Sequence, residues 1–170
     1  MKFIGAGSLS SLVYKLLWLL NYLVPIGAFI LIFILSVLCF AQPVDDPTVS
    51  IYSEFKYNLM TVTKEDKEAW EITRNSPVVV KAFMLSYVAF VSTLLFYIVR
   101  AAKPIFKNFA NGAVFHQDNV SILSRLTKLV IVFSIFTFNF SSFLIGVILL
   151  ILGDIFKGGA ALQEEHDLTV

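Results

Sequence analysis

Charge is what this chain of 170 residues most lacks: Asp, Glu, Lys and Arg make up 15% of it, where a soluble domain carries about 25%. Together with 58% hydrophobic residues and a mean hydropathy of +0.82, that shortage excludes a soluble globular enzyme and a disordered segment. The 13 basic and 12 acidic residues nearly cancel, so there is no basic footprint for DNA or RNA and no direct nucleic-acid binding is expected. Cysteine is nearly absent, and the one residue, Cys39, has no internal disulfide partner. Also missing are a G-x-S-x-G elbow, a phosphate-cradling glycine loop, H-x-x-x-H or C-x-x-C spacing, and a carboxylate pair at membrane depth. No enzymatic activity and no cofactor are therefore expected. The histidines, His116 and His166, read as ordinary polar-surface residues, not as metal ligands beside Asp118, Glu164 and Glu165. Gly5-Ala6-Gly7 follows no strand and reads as a flexible start.

What the chain does have is long apolar runs. Leu16 to Ala41, Val78 to Val99 and Leu129 to Leu152 each reach the roughly 20 residues that a membrane-crossing helix needs. None carries a charge at its centre, and Lys81 stands about one turn from its helix end, where its head can snorkel to the interface. Cys39 and Ala41 have cleavage-like spacing, but the apolar part before them is about 25 residues, well beyond a signal core. The first run is read as an uncleaved anchor. These features predict an all-α integral membrane protein, a bundle of three to four transmembrane helices with a small extracytoplasmic cap between the first two, and a lipid bilayer as its surroundings. As one membrane domain over 1–170, it is expected to place helix 1 at about 16–41, an outer loop at 42–77, helix 2 at about 78–100, and an inner loop at 101–118. Helix 3 is expected at about 119–138, helix 4 at about 141–165, and a tail at 166–170.

Basic residues near the spans orient the chain. Arg100, Lys103, Lys107, Arg125 and Lys128 face Asp118 alone between positions 100 and 128, whereas 42–77 carries four basic and seven acidic residues. Lys2 and Lys15 add to the amino-terminal side. The N-terminus and the 100–128 loop are therefore expected in the cytoplasm and the 42–77 loop outside. Within that outer loop Val49, Ile51, Phe55, Tyr57 and Leu59 recur at period two, a strand signature. Thr63 and Asp66 suit a capping box for a short helix over Lys64 to Thr73, with Trp70 near the headgroups. In the inner loop Gly112 reads as a helix stop and Asp118 or Asn119 as the cap of a new helix. That helix is expected to carry Ile122, Leu126 and Leu129 on one face, with Arg125 and Lys128 beside it.

The tail Asp154-Ile155-Phe156-Lys157, Gly159, Leu162-Gln163-Glu164-Glu165 and Asp167-Leu168-Thr169-Val170 resembles the ending of a bacterial family of unknown function, small four-span membrane proteins that finish in a pattern like E-N-D-L-T-[IV]. Gly112, Phe115, Asp118-Asn119, Leu123 and Arg125 resemble that family's inner-loop motif. His166 stands where the family usually has asparagine, and Gly158 where a basic residue is common. The resemblance implies a multi-pass protein of the bacterial inner membrane, often encoded beside a Cro-type helix-turn-helix regulator. It thereby implies a cytosolic regulator as partner, with Phe115, Asp118, Asn119, Arg125, Glu164, Glu165 and Asp167 as candidate docking residues.

Physics and resemblance part company over Leu129 to Leu152. As one helix it is about 36 Å long, a comfortable single crossing that leaves the tail outside. The resemblance implies two short helices turning near Asn139 to Ser142, with the tail inside, and that hairpin is the reading favoured. Two further features bear on function. Ala82, Ser86, Ala89 and Thr93 form a small-residue stripe suited to helix packing, either within the chain or between copies in a homo-oligomer. Lys81, Asn21 and Asn139 are the polar groups nearest membrane depth, the basis of an alternative as a small transporter or channel-like oligomer. A non-enzymatic binding or regulatory protein is the primary expectation.

Overall fold

The computed structural model of the chain describes residues 2–5, 7–40, 72 and 75–168. Among them are four helices: α1 Leu9–Phe40, α2 Val78–Ala110, α3 Gln117–Phe136 and α4 Phe140–Leu168. All four are long and apolar enough to cross a membrane, and no described residue lies in a strand. The protein is an all-α, multi-pass membrane protein. The strand expected over Val49–Leu59 and the short helix expected over Lys64–Thr73 lie outside the described residues, Ile72 apart.

Local chemistry sets the helix ends. Ser8 caps α1, its hydroxyl accepting from the Ser11 N–H at 3.4 Å, so the helix begins before the apolar run does. Helix α2 continues past Arg100 because Ala101, Ala102 and Lys103 are good helix formers, and it accommodates Pro104. It closes where Gly112 adopts φ +85°. There the Ala113 N–H donates to the Asn108 carbonyl (3.0 Å) and the Gly112 N–H to the Phe109 carbonyl (3.1 Å), a Schellman closure with glycine at the left-handed position. Helix α3 ends in the same way, with a different residue. The Asn139 N–H donates to Ser134 O (3.0 Å) and the Phe138 N–H to Ile135 O (3.3 Å), while Phe138 holds φ +50°. Asn139 then caps α4, its Oδ1 accepting from the Ser142 N–H at 2.9 Å. The 129–152 run is thus two helices, not one.

The chain divides into two compact units, Met1–Ala28 with Phe90–Val170, and Phe29–Ala89. In the first, α3 and α4 pack against each other as a hairpin. Ile105, Leu123, Leu126 and Val130 form its buried centre, flanked by Ile98, Phe109, Leu149 and Phe156. On α3 the buried residues Asn119, Leu123, Leu126, Thr127, Val130 and Ser134 follow the helical period of three and four. This seam is turned by one residue from the expected face: Leu123 and Val130 are buried, and Ile122 and Leu129 lie at its edge. The Thr127 and Ser134 hydroxyls donate back to the carbonyls of Leu123 (2.9 Å) and Ile131 (2.7 Å), so neither is left unsatisfied among apolar neighbours. Gly146 lets the helices approach closely, since a Cβ there would stand 2.8 Å from Ile131 Cγ1.

In the second unit Lys81 Nζ donates to the Cys39 carbonyl at 2.8 Å and lies 5.8 Å from the centre of the Phe40 ring. The ammonium therefore sits at the carbonyl end of α1, where a helix carries partial negative charge. The thiol of Cys39 is free and buried.

The Gly146 seam generates a paired prediction. Gly146→Leu should lower stability in detergent by about 1–3 kcal/mol through overpacking, whereas Gly153→Leu, where a Cβ meets nothing within 4 Å, should leave the thermal midpoint in place. Equal shifts for the two variants contradict the seam.

Candidate functional site

At one end of the first unit, segments distant in sequence are tied together: the amino-terminal residues, the end of α2, the 111–116 loop, and the far half of α4. Asn119 is the hub. Its side chain is 0% exposed, and each of its polar groups is used. Nδ2 donates to the carbonyls of Ala113 and Val114, both at 2.8 Å, and Oδ1 accepts from Asn108 Nδ2 at 2.6 Å. An asparagine has two amide hydrogens and one carbonyl oxygen, and here all three meet protein partners. The cap of α3 is His116, not Asp118 or Asn119: the His116 Nδ1 accepts from the Asp118 N–H at 3.3 Å. With capping done by His116, Asn119 sits in the first turn and its side chain is free to hold the loop.

Aromatic rings seal the same end. Phe109 stacks on Phe156 with ring centres 5.8 Å apart, and Phe115 leans against Phe156 at 5.5 Å. Gly159 underlies Phe115, and a Cβ there would lie 2.5 Å from the ring, so only glycine lets the ring settle against α4. The Gly5 N–H donates to the Phe109 carbonyl at 3.2 Å. Gly5 is therefore pinned to the end of α2, a correction to the flexible start expected of this stretch.

Around this sealed base stands a polar rim. His116, Gln117, Asp118, Arg125 and Lys128 are exposed, as are Glu164 and Glu165 on α4. The His116–Asp118 pair, 3.3 Å apart, is solvent-facing and contributes little to stability. No group of three or more His, Cys, Asp or Glu that could hold a metal ion occurs among the described residues. Of the candidate docking residues, Phe115, Asp118, Arg125, Glu164 and Glu165 expose surface and Asp167 belongs to the last turn of α4. Asn119 is the exception, since a wholly buried side chain offers nothing to a partner and acts from below the surface. Asn108, Phe109, Phe156 and Gly159 complete the platform; of these, Phe156 and Gly159 stand in the tail pattern, and Asn108 and Phe109 carry no signal in the sequence.

The small-residue stripe lies along α2 with Ala82, Ser86 and Thr93 exposed and Ala89 half-buried; the Ser86 hydroxyl donates to the Ala82 carbonyl at 2.8 Å. Of the polar groups nearest membrane depth, Lys81 is engaged at the end of α1 and Asn139 caps α4. Asn21 differs: its Oδ1 is buried with no hydrogen-bond partner among the described residues. Four residues on, Pro25 lacks the N–H that the Asn21 backbone carbonyl would otherwise receive. No family model, curated protein or solved structure matches the chain.

The hub generates its own test. Asn119→Leu leaves the Ala113 and Val114 carbonyls and the Asn108 amide without partners, at a cost of about 2–4 kcal/mol. Tryptic cleavage after Lys107 in detergent should accelerate by about tenfold or more, because the loop closure must open for the protease to bind. An unchanged cleavage rate contradicts the fastening role.

Proposed function

We propose that the protein is a non-enzymatic binding protein of the bacterial inner membrane, which holds a soluble cytosolic protein on the platform formed by the α2–α3 loop and the end of α4. The observation that carries this reading is Asn119: a completely buried polar side chain whose hydrogen bonds all go to fixing a loop with a polar, exposed rim. Lipid anchoring needs no such arrangement; a pre-organised docking surface does, because ordering the loop in advance lowers the entropic cost of binding. The composition fits as well. Phe115 supplies a half-covered aromatic anchor, and Asp118, Arg125 and Glu164 supply charges of both signs around it, the anchor-and-rim anatomy of protein interfaces.

The basic residues Arg100, Lys103, Lys107, Arg125 and Lys128 flank the α2–α3 loop in the sequence, which favours the cytoplasmic side for it and for the N-terminus. The resemblance of Gly112 to Arg125 and of the tail to the four-span bacterial family extends the proposal to the partner, a helix-turn-helix transcription regulator. Such a regulator would be held at the membrane and away from DNA. An oligomeric conduit would rest on Asn21 and the exposed stripe of α2, and neither Lys81 nor Asn139 adds to it.

Site-specific photocrosslinking in cells tests the proposal. A photoreactive residue at His116 or Glu164 is expected to trap a small helix-turn-helix regulator, and one at Phe83, on the apolar face of α2, is not. Reversing charge with Asp118→Lys and Arg125→Glu together should reduce the adduct by about tenfold, the effect of like charges placed across an interface. Absence of a soluble adduct at both platform positions overturns the reading.

A further inference from the structure

Two contacts fix how α2 and α3 lie side by side. The Asn108 amide donates to Asn119 Oδ1 at 2.6 Å, and the rings of Phe90 and Phe136 meet with their centres 4.8 Å apart. Phe90 to Asn108 rises about 27 Å and Asn119 to Phe136 about 26 Å, so the two helices run antiparallel and in register between these contacts. Distance can therefore be counted along either helix from the Asn108–Asn119 tie. Lys103 lies about 8 Å from it and Arg125 about 9 Å; Arg100 lies about 12 Å from it and Lys128 about 14 Å. The same Arg-x-x-Lys spacing thus recurs on both helices at one level, in opposite order, and each tier holds one arginine and one lysine.

Both pairs face outward. On α2, Arg100 and Lys103 lie across the helix from Ile98 and Ile105; on α3, Arg125 and Lys128 lie across from Leu123 and Val130. Those four apolar residues pack in the buried centre or against it. Arg100, Arg125 and Lys128 are exposed and Lys103 is half-buried. Among the described residues none of the four cations makes an ion pair. The acids stand elsewhere. Phe156 is level with the tie through its stack on Phe109, and Glu164 and Glu165 lie about 12–14 Å beyond it, away from the four cations. Asp118 is beside the tie, and Asp154 lies on the cations' side of it by only about 3 Å. Arg100 is also the first charge that α2 meets after its apolar run. This level of the perimeter is where hydrocarbon gives way to headgroups, and cations there draw their counter-ions from the lipid.

We propose that Arg100 with Lys103, and Arg125 with Lys128, form a girdle that binds the phosphates of anionic phospholipids. Within each pair the two side chains share a helix face and are offset by about 5 Å along it, so both reach one phosphate. The arginine fork pairs with two phosphate oxygens, and the lysine adds a point charge. The girdle holds the tie about 8–9 Å clear of its upper tier, which keeps the platform in water. Arg125, the rim residue nearest the bilayer, is the one shared with the platform. This inference rests on the membrane placement and is independent of any docked protein.

The test uses the full chain in phosphatidylcholine vesicles that carry a trace of spin-labelled phosphatidylglycerol or spin-labelled phosphatidylcholine. The wild type is expected to immobilise phosphatidylglycerol with about fivefold preference, the effect of one added cation near an anionic surface. Replacing Arg100, Lys103, Arg125 and Lys128 by glutamine should abolish the preference while phosphatidylcholine is immobilised as before. Should that variant not reconstitute, Arg100→Gln with Lys103→Gln, and Arg125→Gln with Lys128→Gln, should each remove part of it. Lys157→Gln, level with the tie, should leave it unchanged. Equal immobilisation of the two lipids by the wild type, or a preference that survives the fourfold replacement, overturns the proposal. Inorganic phosphate that erases the preference where chloride of equal ionic strength does not shows a site for free anions, and overturns the assignment to lipid. If neither lipid is immobilised, the membrane placement itself fails, and the girdle with it.

Discussion

Hydrocarbon offers nothing for a peptide group to hydrogen-bond, and that single constraint organises the molecule. It explains why every described span is helical and why the few polar side chains on those spans turn inward to their own backbone. Ser36, Ser86, Thr127, Ser134 and Thr137 all donate to carbonyls three or four residues earlier. The ammonium of Lys81 obeys the same rule by reaching the terminal carbonyls of α1. The turn between α3 and α4 obeys it too, closing its own N–H groups before the chain changes direction. Asn21 with Pro25 is where the rule is least well satisfied on α1, since the Asn21 Oδ1 is buried with no hydrogen-bond partner among the described residues.

Two helix ends solve one geometric problem with different residues. Both α2 and α3 close with a Schellman pair of hydrogen bonds and a left-handed residue. At the platform the residue is Gly112, which relaxes the backbone and lets the following loop fold over Asn119. At the hairpin tip it is Phe138, which accepts an unfavourable backbone conformation and presents a ring to its surroundings. The first arrangement makes a fixed polar surface and the second an apolar point.

Much of the architecture was legible from apolar run lengths and charge positions, because the cost of burying charge in lipid leaves a strong imprint on sequence. The stop at Gly112 was legible for a similar reason, since few residues take a positive φ. What escaped was decided by tertiary partners. Asn119 looked like a cap, and only the Ala113 and Val114 carbonyls and the Asn108 amide reveal it as a fastener. Phe115 and Gly159 are far apart along the chain, and nothing local signals that one ring needs the absence of the other's Cβ. The buried face of α3 was displaced by one residue, about 100° around the helix, because the spacings 122, 126, 129 and 123, 126, 130 both fit the helical period with apolar residues. Helix α2 outran its apolar run because helix propensity persists after hydrophobicity ends. The 129–152 run is long enough for one helix, so its length argued against the hairpin, and only the closure at 137–139 decides for it.

The whole account depends on the chain reversing at Thr137–Asn139 with its polar groups satisfied. The most direct measurement is the distance between spin labels on Asp118 and Lys157, both exposed on the helix surfaces, in the full chain reconstituted in bilayers. Packed antiparallel helices place the labels within about 25 Å, allowing for neighbouring helix axes about 10 Å apart and the label linkers. A single continuous helix would separate them by about 58 Å, and a distribution centred there would contradict the hairpin and the platform together.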